Sequence, residues 1–176
     1  MIVELGHFAL ILALAVAVVQ GIVPLVGAWR NDQALMDVAR TAALAQLGLV
    51  ALAFAALMHA HATSDFSVVN VFENSHSSKP LLYKLSGTWG NHEGSMLLWV
   101  LILTIFGGAV AAFGGNLPSG LRARALAVQS WIAVGFYLFI VLTSNPFERI
   151  IPAPLDGRGL NPVSYTHLTL PTKRIV

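Results

Sequence analysis

The stretch Trp89-Gly90-Asn91-His92-Glu93-Gly94-Ser95 places an imidazole beside a carboxylate, with an indole at each flank, Trp89 and Trp99. An imidazole can move a proton near neutral pH or ligate a metal, and a neighbouring carboxylate can orient it. Indole faces suit flat apolar ligands, and they also populate the interfacial belt of membrane proteins. Trp89, His92, Glu93, Ser95 and Trp99 are therefore the candidate cleft residues. A plainer role exists for part of this set. An acid in the first turn of a helix suits its positive end, and Glu93 or Ser95 can cap an unpaired amide there.

The other histidines are less telling. His59 and His61 are two apart, so a regular helix points them to opposite sides and they cannot hold one metal together. One of them facing His92 or His7 across two helices would be the arrangement of a transmembrane haem. Polar decoration at a helix end is the simpler role. The chain has no HExxH, GxSxG, Walker or Rossmann pattern, so no catalytic residue and no metal ligand is assigned.

The elements that must position these residues are four long runs without acidic or basic residues, over 5–29, 41–64, 94–121 and 125–147. A hydrocarbon core about 30 Å thick needs roughly 20 residues of helix at 1.5 Å per residue. The runs are rich in Ala and Leu and lack period-two alternation, which predicts helices rather than barrel strands. The expected fold is an all-α membrane protein with four transmembrane helices at about 5–29, 41–62, 95–113 and 125–143, cut from a larger polytopic bundle. Residues 63–93 form the long outer loop. Gly107, Gly108 and the alanines after them would let a neighbouring helix come close.

Composition agrees: 56% of the residues are hydrophobic and 10% charged, too apolar for an ordinary water-soluble domain. Cysteine is absent, which removes disulfides and thiol chemistry. The first run is too long for a signal-peptide core and is read as a retained helix. Residues 1–162 hold eight basic and eight acidic side chains, so no basic patch points to nucleic acid. Arg30, Arg40, Arg122 and Arg124 on one side balance Lys79, Lys84, Arg149 and Arg158 on the other, so the positive-inside rule ties by count. The short 114–124 loop, with two arginines and no acid, tips that side toward the cytoplasm.

Residues 163–176 share nothing with this pattern. Val163 through Thr172 matches, without a mismatch, one frame of a transposon-type DNA sequencing adapter. A variable index follows, and then Val and a stop. The segment is expected to be an adapter translation rather than a domain, and it is set aside from the fold.

Seven stretches carry a family resemblance: Glu4-Leu-Gly-His-Phe-Ala-Leu10, Asp65-Phe-Ser-Val-Val-Asn-Val71 with Asn74-Ser75, Lys79-Pro-Leu-Leu-Tyr-Lys84, Trp89 through Val100, Gly135-Phe-Tyr-Leu-Phe139, Thr143-Ser-Asn-Pro-Phe147 and Asp156-Gly-Arg-Gly-Leu-Asn-Pro162. In this order they resemble the amino-terminal part of the CcmF family, cytochrome c-type biogenesis proteins that act as the haem-lyase subunit of bacterial c-type cytochrome maturation. The nitrite-reductase-associated haem lyases are similar here. The resemblance implies a multi-pass protein of the bacterial inner membrane with the 63–93 loop in the periplasm. It implies haem as the cofactor, handed over by a haem chaperone and joined through its vinyl groups to the two thiols of apocytochrome c, with other maturation subunits as partners. The family's tryptophan-rich segment and haem-binding histidines are expected beyond Pro162, so 1–162 alone is expected to be inactive and not to hold haem stably. A non-catalytic transporter or assembly-scaffold subunit is the alternative, and a small b-type electron carrier a third.

Overall fold

The computed structural model describes residues 1–159. Four long helices dominate: α1 (Ile2–Arg30), α2 (Gln33–Thr63), α5 (His92–Phe113) and α6 (Ser119–Thr143). Two short ones, α3 (Val69–Asn74) and α4 (Leu81–Gly87), lie in the outer loop. All four long helices are long and apolar enough to cross a membrane. The architecture is all-helical, as the sequence implies.

The spans reach further than hydropathy suggests. The 30–40 connection shrinks to Asn31-Asp32. Asn31 adopts the left-handed conformation, φ 53°, which asparagine tolerates. Asp32 then caps α2, accepting from the amides of Ala34 at 3.0 Å and Leu35 at 3.4 Å. The start of α2 is thus Gln33 and not Thr41, because Asp37 and Arg40 ride on a helix that continues past the apolar zone. At the same end α6 begins at Ser119 rather than 125, directly after Pro118. Arg122 on this extra turn pairs with Asp37 at 3.6 Å. At the outer end α5 begins at His92 rather than 95.

The helices form a bundle in which α2 packs on α1, α5 and α6, while α6 also packs on α1 and α5. Small residues set the spacing. Ala9, Ala13 and Ala17 bury one narrow face of α1 at four-residue intervals, and Ala53, Ala56 and Ala60 do so on α2 at intervals of three and four. Gly108 seats Leu47 of α2, whose Cδ2 would lie 2.7 Å from any Cβ placed there. The glycine-alanine face of α5 is therefore used for helix packing inside this bundle.

A polar hub crosses the middle. Gln46 Nε2 donates to Gln20 Oε1 at 2.9 Å and to Ser130 Oγ at 3.2 Å. Tyr137 Oη donates to Gln46 Oε1 at 3.0 Å. Gln20 Nε2 and Ser130 Oγ donate onward to the carbonyls of Leu126 and Ala17, at 3.0 and 2.7 Å. With Thr104 and Gln129, these amides line a cavity of about 10 Å³, room for no more than about one water.

The outer loop is sewn to the segment after α6. Val69 N–H donates to Glu148 O at 2.9 Å and Ile150 N–H to Ser67 O at 2.8 Å, an isolated antiparallel bridge between Val68 and Arg149. Further along, Arg158 N–H reaches Phe72 O at 2.7 Å and Gly159 N–H reaches Ser75 O at 3.0 Å. Residues 163–176, read above as adapter-derived, lie outside the described residues.

Candidate functional site

Helix α5 must start somewhere, and its first amides need acceptors. Neither Glu93 nor Ser95 supplies one. Asn91 is the cap: its Oδ1 accepts from Gly94 N–H at 2.7 Å, and its Nδ2 donates to Gly87 O at 2.8 Å. Both partners are backbone groups with fixed roles, so the orientation of this amide is settled by chemistry. Asn70 of α3 then pairs with it reciprocally. Asn70 Nδ2 donates to Asn91 Oδ1 at 2.8 Å, and Asn91 Nδ2 donates to Asn70 Oδ1 at 3.2 Å. Because Asn70 presents Oδ1 to His61 Nε2 at 2.9 Å, His61 must be the donor there. His61 is fully buried, and its Nδ1 has no hydrogen-bond partner among the described residues. The histidine pair splits as helix geometry requires, with His59 exposed on the other side of α2.

Glu93 joins this cluster through Oε2, which accepts from Asn70 Nδ2 at 3.3 Å. His92 turns the other way. Its Nδ1 lies 2.8 Å from Ser144 Oγ at the end of α6, and its ring meets Phe139 edge-on with centroids 6.0 Å apart. His92 is exposed, with Nε2 as its unengaged ring nitrogen. Ser95 Oγ donates to Trp89 O at 2.6 Å, closing the turn that precedes α5. Trp89 is 41% exposed and Trp99 66% exposed. Trp99 lies two turns below His92, on the outside of the bundle. The five candidates are therefore not one cluster. His92 and Glu93 are neighbours that serve opposite walls, Ser95 and Trp89 form the turn, and Trp99 stands apart.

Close packing holds the turn. A Cβ on Gly94 would collide with the Thr88 carbonyl, so the residue after the His-Glu pair has to be glycine. Next to the site, Arg149 binds Glu4, Ser67 and Asp65, the last at 3.3 Å. It thereby ties the start of α1, the loop and the exit segment together. His7 stacks on Phe147 at 6.0 Å. Asp156 accepts from Ser77 N–H at 3.0 Å and Ser77 Oγ at 2.7 Å, and these bonds hold its carboxyl below the ordinary aspartate value. Burial pushes the Lys79 ammonium below the usual lysine value, while its Nζ donates to Asn74 O at 2.8 Å.

Asn70, Asn91 and Ser144 join the site although their types and spacing do not mark them, and His61 is a buried hydrogen-bond donor instead of polar decoration at a helix end. The available signal was that the loop motifs each contain an asparagine or serine next to the helix end they must satisfy. Among the histidines, His61 is committed to Asn70 through Nε2 and sealed, His7 stacks on Phe147, and His92 keeps Nε2 unengaged at this junction. No group of three or more metal-ligating side chains occurs among the described residues.

A sequence profile described as "Cytochrome C assembly protein" matches residues 89–169, opening at Trp89. The cytochrome c-type biogenesis protein CycK of Bradyrhizobium diazoefficiens is 66% identical over 93% of this chain, which covers 25% of that protein. The CcmF protein of Pseudomonas aeruginosa is 52% identical over 93% of the chain, again 25% of its own length. Among solved structures, the "Cytochrome c Heme Lyase CcmF" superposes with a TM-score of 0.77 at 27% identity, over 84% of this chain and 25% of that one. Over 93% of its length the chain is similar to the CcmF and CycK cytochrome c-type biogenesis proteins. It spans about a quarter of the length of these relatives.

Proposed function

We propose that this chain is part of a membrane haem lyase that attaches haem to apocytochrome c during cytochrome c maturation. The observation that carries this reading is the joint match in sequence and fold to CcmF, at 0.77 TM-score for the solved haem lyase and 66% identity for CycK. In this reading haem is the cargo, delivered by a haem chaperone, and apocytochrome c and other maturation subunits are the partners. The protein lies in the bacterial inner membrane with the 63–93 loop in the periplasm. The four apolar helices support a multi-pass placement. In this reading the haem ligands lie beyond Pro162, so residues 1–162 alone are inactive and do not retain haem.

Its contribution is a wall. Of Trp89, His92, Glu93, Ser95 and Trp99, it is His92 that stands at the outer end of the α5–α6 seam, positioned by Ser144, while Asn91 fixes the start of its helix. The test is substitution of the residue matching His92 by alanine in a full-length relative, scored by holocytochrome c formation at equal membrane abundance. A large loss supports the wall; unchanged maturation makes the junction purely structural. Should the whole relative support maturation without ever contacting haem, the scaffold alternative takes its place. We also propose that residues 163–176 are adapter translation, which sequencing of the genomic locus past the Pro162 codon checks directly.

A further inference from the structure

We propose that α4 is an interfacial anchor, with Leu81, Leu82 and Tyr83 seated in the headgroup region of the bilayer. The occupant of this apolar surface is lipid. The inference rests on the four-span membrane reading and is independent of the haem-lyase reading.

The height of α4 is fixed by α2. The apolar run of α2 from Thr41 to Met58 covers about 27 Å at 1.5 Å per residue, close to the hydrocarbon thickness of about 30 Å. His59 and His61 mark the exit, and Ser64 lies about 9 Å beyond Met58 by the same rise, at headgroup level. Lys84 Nζ donates to Ser64 Oγ at 2.7 Å, and α4 packs on α2. That contact holds the short helix beside the membrane boundary instead of high above it.

At that level α4 shows an apolar first turn to the outside. Leu81 is 59%, Leu82 74% and Tyr83 63% exposed, the same range as Trp99 and Phe106 at 66% on the outer face of α5. No α4 residue is buried, so these side chains do not serve the protein core. A tyrosine beside leucines is the chemistry of an interfacial segment, apolar body inward and hydroxyl in the headgroups, while the flanking Lys79 and Lys84 bind Asn74 O and Ser64 Oγ and hold the segment at that level. Trp89, just after α4, adds an indole suited to the same belt.

The chain has no cysteine, so single labels are straightforward. Leu82→Cys and Tyr83→Cys, each carrying an environment-sensitive fluorophore, are compared with Glu73→Cys on the exposed face of α3, in the full chain in nanodiscs of phosphatidylcholine and phosphatidylglycerol. Both positions project outward without hydrogen bonds, and unchanged circular dichroism checks that the helices persist. The expected result is blue-shifted emission at 82 and 83, quenching by headgroup-level nitroxide lipid, and protection from aqueous iodide, with the Glu73→Cys label showing the reverse. Iodide access at 82 and 83 equal to that at 73 overturns the proposal, as does shielding from both quenchers, which would mean that protein covers the surface. Either failure leaves holocytochrome c formation, the readout for the haem-lyase reading, untouched.

Discussion

At the scale of single residues, the outer end of the bundle depends on amide chemistry more than on charge. Asn91 satisfies a helix amide, a loop carbonyl and Asn70 at once. Asn91→Ala removes the cap and strands the buried Asn70 amide, so unfolding in mixed detergent should show a loss of about 2–4 kcal/mol, from about 1 for the cap and 1–3 for the unsatisfied group. Gly94→Ala should be at least as damaging, since the Thr88 carbonyl must move to admit a methyl group. The same assay, or loss of correctly folded protein on size exclusion, checks it. A milder result in either variant would mean that the turn before α5 relaxes freely. The sequence made His92 and Glu93 conspicuous because unlike titratable groups side by side invite a chemical role. It did not reveal that they face different walls, since that depends on where Ser144 and Asn70 return in space, 52 and 23 residues away in sequence. His61 was unreadable for a related reason: a histidine near a helix end looks interfacial until a loop asparagine covers it.

At the scale of elements, hydropathy located every long helix and placed each C-terminal end within one residue, but set the starts three to eight residues late. Polarity marks where the apolar environment stops, whereas helix ends follow caps. Asp32 shows the difference, because it starts α2 eight residues before the uncharged run begins. Asp32→Ala should cost about 1 kcal/mol and fray residues 33–36, measured as faster amide exchange of Ala34 and Leu35. The polar hub is a second case. Gln20 and Gln46 were visible as isolated polar residues in apolar runs, but their joint role with Ser130 and Tyr137 needed three helices in register. Gln46→Leu should destabilise the bundle by about 0.6–2 kcal/mol, the range for interhelical hydrogen bonds in membranes, read as a lower midpoint in detergent-driven unfolding.

At the scale of the whole molecule, the loop and the exit segment form one cover over the outer end. Asp156 contributes to it through Ser77. Its carboxyl is held below the ordinary value, so its contribution is complete above the usual aspartate range and disappears as pH falls through the lower folded value. Amide exchange at Ser77 and Gly157 should rise across that acid interval, and in Asp156→Asn it should be high and insensitive to pH over the same range. Exchange that is flat in the unmodified chain would remove Asp156 from the cover.

The bridge between Val68 and Arg149 sets an order of events during biosynthesis. When residues 64–91 emerge, the segment that will stitch them down is still about 80 residues from being made, which at 5–20 residues per second is roughly 4–16 seconds of translation. Throughout that interval Ser67 O and Val69 N–H lack their partners at Ile150 and Glu148, and helices α5 and α6 must be threaded first. The outer loop is therefore the last part of this unit to mature, and it stays open to quality-control proteases or assembly helpers until the ribosome has passed Arg149.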